Sequence, residues 1–122
     1  MQEVTVTKEE LLKTLRDNRT AHIQLYKDAV EGFKVESKKK LEKALASLDK
    51  GTMPKSMSFH PPVDHTEQYD EAIKMLEMSV DTNITLSRHE FTQYVQDSWI
   101  SQSERMMMRS MALSSSNSNL YQ

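Results

Sequence analysis

Cysteine is missing from all 122 residues, which excludes disulfides, thiolate metal sites and cysteine nucleophiles. Glycine occurs only twice, too few for the glycine-rich loops that cradle phosphates. Proline occurs three times, at Pro54, Pro61 and Pro62, so the chain on either side is open to long helices. No apolar run exceeds a few residues, and nothing reads as a membrane span. The opening Met1, Gln2, Glu3, Val4 and Thr5 hold neither a basic patch nor an apolar stretch, so no secretion signal is expected there. An excess of one charge sign is lacking as well. Sixteen basic residues face eighteen acidic ones for a net charge of -2. Affinity for nucleic acid is not expected from that balance, and neither is a self-repelling acidic coil.

The composition that remains is polar, with 37% hydrophobic and 28% charged residues. The length is that of one domain. With so few apolar residues a large compact core is not expected, and a long helix lying along a partner uses them better. Residues 1–51 read as that helix. Thr7 and Glu10 make a T-x-x-E capping box, with Val6 and Leu11 placed as its hydrophobic staple. An apolar stripe follows at Leu12, Leu15, Ile23, Tyr26, Val30 and Phe33, interrupted by Arg19, and resumes at Leu41, Ala44, Leu45 and Leu48. Gly51 suits the C-terminal cap. Gly32, an interior glycine costing about 1 kcal/mol against alanine, marks an expected bend or break. Unbroken, the helix would reach roughly 60 Å at about 1.5 Å per residue.

Residues 52–63, holding all three prolines, read as an extended linker. Residues 64–113 read as a small helical unit. Asp64 and Glu67 form a second capping box, ahead of Tyr69, Ala72, Ile73, Leu76 and Val80 on one helical face. Asp81 to Asn83 break that helix, and Ile84, Thr85 and Leu86 alternate as a strand would. Ser87 and Glu90 form a third box, opening a helix whose face is Phe91, Tyr94, Val95 and Trp99. Residues 114–122, rich in serine and asparagine, read as a loop or disordered tail. No internal repeat is evident. The fold class is therefore all-α: a long N-terminal helix, a proline-containing linker, then two or three helices.

Few constellations carry chemistry. From Ser79 to Phe91 oxygen-bearing residues alternate as in a calcium loop, and a calcium reading would rest on Asp81, Asn83 and Glu90. Ser79 stands where that loop wants aspartate and Ile84 where it wants glycine, so a capped helix start explains the residues better. His22, His60, His65 and His89 make no zinc-type spacing, although His60 and His65 flank one loop. Lys34, Lys38, Lys39, Lys40 and Lys43 form a basic patch diluted by Glu36 and Glu42. It reads as a solvated helix face, since base-stacking aromatics are absent nearby. No nucleophile elbow or paired carboxylates stand out, so catalytic residues are none and the chain is not expected to be an enzyme. No cofactor is expected.

Asp64, His65, Tyr69, Asp70, Ala72, Ile73, Met75, Leu76, Met78, Ser79, Val80 and Asp81, followed by Glu90, Phe91, Tyr94, Val95, Asp97 and Trp99, form a pattern that resembles small uncharacterised proteins of tailed bacteriophages and prophages. The resemblance covers about a third of the chain. It implies a phage origin, with the bacterial cytoplasm or the virion as location, and transfers no catalytic or ligand residue. Proteins of that type assemble in virions, bind and block host proteins, or sequester signalling nucleotides of host defence.

The expectation drawn from these readings is a non-enzymatic helical protein that self-associates and binds another phage or host protein. Ile23, Tyr26, Val30 and Phe33 are the expected self-association face, with Trp99, Met107 and Met111 as an alternative interaction site. A sponge for a small anionic molecule, held by converging lysines and arginines between subunits, is the rival. Trp99 is expected to be mostly buried in the C-terminal unit.

Overall fold

The computed structural model describes residues 2–54 and 58–120, with the side chains of 115–120 left aside. The described residues form β1 (Glu3–Thr7), α1 (Lys8–Asp49), α2 (Thr66–Met78), β2 (Asn83–Ser87), α3 (Arg88–Gln96) and α4 (Gln102–Leu120). The chain is mostly helical, as its patterning indicates, with one small sheet added. It divides into two compact units, Met1–Gln24 with Asp64–Arg105, and Leu25–Val63 with Met106–Gln122.

The first unit is organised by a strand pair that sequence reading misses. β1 and β2 run antiparallel, with Val4 opposite Leu86, Thr5 opposite Thr85 and Val6 opposite Ile84. Alternation places Val6, Ile84 and Leu86 against the core, where Leu11, Leu12, Leu15, Ala72 and Leu76 are buried. On the other face the hydroxyls of Thr5 and Thr85 lie 3.1 Å apart. The Lys8 amide extends the ladder to the Thr82 carbonyl at 2.8 Å. The Lys8 ammonium donates to the carbonyls of Ser79 at 2.6 Å and Glu77 at 3.3 Å, bringing a positive charge to the C-terminal end of α2, which has no basic residue in its own last turn. Arg16–Glu77 and Arg19–Asp70 ion pairs at 2.7 and 2.6 Å fasten α1 to α2, each exposed enough to be worth under about 1 kcal/mol.

Both strands turn directly into helices through the same device. The Thr7 hydroxyl accepts from the Glu10 amide and the Ser87 hydroxyl from the Glu90 amide, each at 3.2 Å. Aligned on these caps, Val4-Thr-Val-Thr7-Lys8-Glu-Glu10-Leu11 matches Ile84-Thr-Leu-Ser87-Arg88-His-Glu90-Phe91 in residue class at every position but one, Glu9 against His89. An internal repeat is therefore present. Its equivalent residues Thr5 and Thr85 pair directly, so the two strands are related by a local two-fold axis through that pair.

Several boundaries differ from the sequence reading. α1 begins at Lys8 and shows no break at Gly32. Gly32 is buried, and the position a Cβ would take there is already filled by the Met111 carbonyl, with the Met111 Cα at 3.1 Å from it. The glycine serves close helix–helix approach, not a bend. α1 ends where expected. Gly51, at φ 78°, donates to the Leu48 carbonyl and Thr52 to that of Ser47, both at 2.9 Å, the paired bonds of a Schellman motif. α2 is capped at His65, not at Asp64, and the Asp64–Glu67 box does not form. Asp64 instead accepts from the Thr66 amide at 2.9 Å and the Thr66 hydroxyl at 2.5 Å, a local turn that aspartate favours. These two bonds hold its carboxyl below the usual carboxylate range.

α3 stops at Gln96 because Asp97 adopts φ 51°, so Trp99 lies past the helix and off the face assigned to it. The supposed tail is helical to Leu120, while Tyr121 and Gln122 lie outside the described residues. Ser101 opens α4, accepting from the Glu104 amide at 3.2 Å, an S-x-x-E signal of the same kind as the others. Ser114 returns its hydroxyl to the Ser110 carbonyl, the bond that accommodates serine within a helix. In the linker, residues 52–54 and 58–63 carry no regular structure, and 55–57 lie outside the described residues.

Candidate functional site

Two regions hold the polar and apolar groups that could act on another molecule. In the first unit, buried Asp97 lies at the end of α3. Burial pushes its carboxyl pKa up, against bonds from the Tyr69 hydroxyl and Asn18 and the charge of Arg105. Asn18 Nδ2 lies 3.3 Å from that carboxylate and 3.1 Å from the Val95 carbonyl. Arg105 donates to the carbonyls of Gln96 and Asp97 at 2.5 and 2.7 Å. These groups close the C-terminal end of α3, whose carbonyls have no helical partner. Burial pushes the Tyr69 phenol up as well, followed by the nearby Asp97 charge.

His22 is buried beside this knot, and its Nε2 accepts from the His65 amide at 2.9 Å. A ring nitrogen that accepts carries no proton, so His22 is neutral. Burial lowers its pKa, and the neighbouring His65 lowers it further. Asp64 Oδ1 stands 3.6 Å from the same nitrogen, yet a neutral ring makes no ion pair. His65 Nδ1 meets Gln68 Oε1 at 2.5 Å and its Nε2 meets Glu104 Oε2 at 2.7 Å. Tyr69 stands edge-on to Trp99 at 5.1 Å. The acids and bases here are engaged with one another and with backbone groups. The cluster is built to hold α2, α3 and the start of α4 in place.

The calcium reading finds no support in this geometry. Asn83 lies within β2, Asp81 is exposed, and the Ser87 hydroxyl donates to the Glu90 carboxylate at 3.0 Å. Among the described residues no group of three or more histidine, aspartate or glutamate side chains could hold a metal ion.

The second unit presents the candidate binding surface. Tyr26, Val30 and Phe33, three of the four residues expected to self-associate, are half-buried there, around fully buried Ala29 and Gly32. Ile23, the fourth, is half-buried in the first unit. This part of the stripe is therefore largely spent within the fold. Phe33 meets Met107 and Met111, two residues of the alternative site, in a groove of about 310 Å³ that Glu36, Lys40 and His60 also line. Lys40 donates to the Ser58 carbonyl at 3.0 Å, and its ammonium lies 5.5 Å from the centre of the Phe59 ring. Trp99, the third alternative residue, belongs to the first unit. It is half-buried against Tyr69 and Tyr94, and its indole Nε1 is buried with no acceptor among the described residues.

Beyond Phe33 the stripe emerges uncovered. Leu41, Leu45 and Leu48 are 49%, 61% and 53% exposed, at helical spacings of four and three. The sequence shows that spacing, but not that intramolecular packing stops short of it. Among the described residues no helix is long and apolar enough to cross a membrane. Comparison with known proteins returns no matching family model, curated protein or solved structure.

Proposed function

We propose that this is a non-enzymatic docking protein of phage type, acting by self-association and by binding another protein through the distal half of α1. The observation that carries the reading is the exposed row of Leu41, Leu45 and Leu48 on a helix capped firmly at Gly51. Full burial of a leucine is worth about 1.5–3 kcal/mol. About half of each side chain remains exposed, so covering the row would contribute roughly 2–5 kcal/mol per face. The likeness of Asp64–Trp99 to small phage and prophage proteins supports a bacterial host cytoplasm or a virion as the setting.

The test replaces Leu41, Leu45 and Leu48 together by glutamine, which keeps helix propensity and removes the apolar row. Sedimentation velocity and native mass spectrometry, alone and with host extract, should show complexes for the wild type that the variant lacks. Circular dichroism should be unchanged. Retention by the variant of every complex, or absence of any complex from the wild type, would refute the reading.

A further inference from the structure

The groove of the second unit gathers soft donors. Met107 and Met111 lie four residues apart on α4 and so share one helical face, and both line the groove together with His60. Two thioethers and an imidazole are donor types that suit copper(I) better than the harder cations. Neither sulfur carries a proton to lose, so of the three donors only His60 must be neutral to bind. The groove, at about 310 Å³, is larger than a bare ion, and the rotatable bonds of each methionine let the sulfurs close on one. The lack of a histidine–carboxylate group among the described residues bears on zinc and calcium, not on a thioether-bound ion.

The three donors stand on well-held backbone within one unit. The Met111 carbonyl is seated against Gly32, which keeps this stretch of α4 close to α1. Lys40 donates to the Ser58 carbonyl at 3.0 Å and lies over the Phe59 ring, which fastens the segment carrying His60 to the same helix. Pro61 then restricts His60 to extended backbone. The Lys40 charge, already engaged, is offset by Glu36, one turn earlier on α1 and on the same groove. Met107 is 43% exposed and His60 is exposed, so an ion can reach both from solvent. We propose that Met107, Met111 and His60 bind one copper(I) ion, independently of the docking reading above.

Silver(I), a redox-inert ion of the same charge and softness, is the first probe, and copper(I) competed against bicinchoninate is the second. Isothermal titration should show one ion bound per chain. The methyl resonances of Met107 and Met111 should shift in proton–carbon NMR of the wild type, a readout that needs no variant. Met107→Leu combined with Met111→Leu keeps side-chain volume, and His60→Ala alters only an exposed residue. Each should weaken binding by more than the about 10–100-fold that loss of an outer-shell partner costs, with circular dichroism unchanged. Met53, Met75, Met78 and Met106, all exposed, remain in both variants and control for adventitious thioether binding. Full retention of binding by either variant, shifts confined to the other methionines, or no saturable binding by the wild type would overturn the assignment. Zinc(II) bound as tightly as silver(I) would overturn it too, because thioethers would not then be the donors.

Discussion

Replacing an interior helical glycine by alanine ordinarily stabilises a helix by about 1 kcal/mol. At Gly32 the opposite sign is expected. The new Cβ would occupy the space of the Met111 carbonyl, a backbone atom that cannot swing aside as a flexible side chain does. The two helices must part, and overpacking of this kind costs about 1–3 kcal/mol. The balance is a loss of up to about 2 kcal/mol, the propensity gain already subtracted. Thermal melting followed by circular dichroism should show a lower Tm, by several degrees at roughly 2–8 °C per kcal/mol for a chain of this size. Amide exchange should accelerate from Met106 to Ser114 on α4. Ala46→Gly, at an exposed position of α1, calibrates the propensity effect alone and should also lower the Tm. A higher Tm for Gly32→Ala, with α4 exchange unchanged, would refute the close approach of the two helices.

Two further outcomes follow from the first unit. Trp99→Ala should destabilise by about 3 kcal/mol, less than a fully buried tryptophan can cost because Trp99 is only half-buried. Trp99→Phe, which keeps the ring contact with Tyr69 and removes an indole N–H lacking an acceptor, should cost far less. Equal losses in the two melts would show that the indole N–H has a partner. His22→Gln keeps an acceptor for the His65 amide without a titrating ring. Folding lowers the His22 pKa, so the unfolded chain binds more protons and acid favours it. The stability His22 supplies is complete above its ordinary pKa of about 6.5 and is lost as pH falls from there through the lowered folded value. Urea unfolding at successive pH values should show the gap between wild type and His22→Gln narrowing below about pH 6.5, and a constant gap would refute the neutral assignment.

The helices were legible because their signals are local. Thr7, Ser87 and Gly51 each announce a boundary within four residues of it; Ser101 with Glu104 carries the same signal for α4, but the sequence reading passes over it and makes residues 114–122 a tail. β1 was not legible in the same way. Glu3 to Thr7 alternate plainly, but a five-residue strand has meaning only with a partner, and its partner lies eighty residues away. The repeat stayed hidden for a related reason, because it surfaces only when the two caps are aligned. Asp97 ends α3 with a backbone conformation that aspartate tolerates but does not advertise. The candidate binding face was legible in part. The stripe from Leu12 to Leu48 is one pattern in sequence, and only packing decides which portion is consumed inside the chain and which stays exposed.

The pairing of β1 with β2 also sets an order of events during synthesis. At roughly 5–20 residues per second, Thr5 leaves the ribosome several seconds before Thr85 is made. Through that interval the first strand has no ladder, and the apolar face of α1 at Leu11, Leu12 and Leu15 has no α2 to cover it. The distal leucines, by contrast, sit on a helix already capped at Gly51. The distal half of α1 can therefore complete its own helix and cap before the first unit closes.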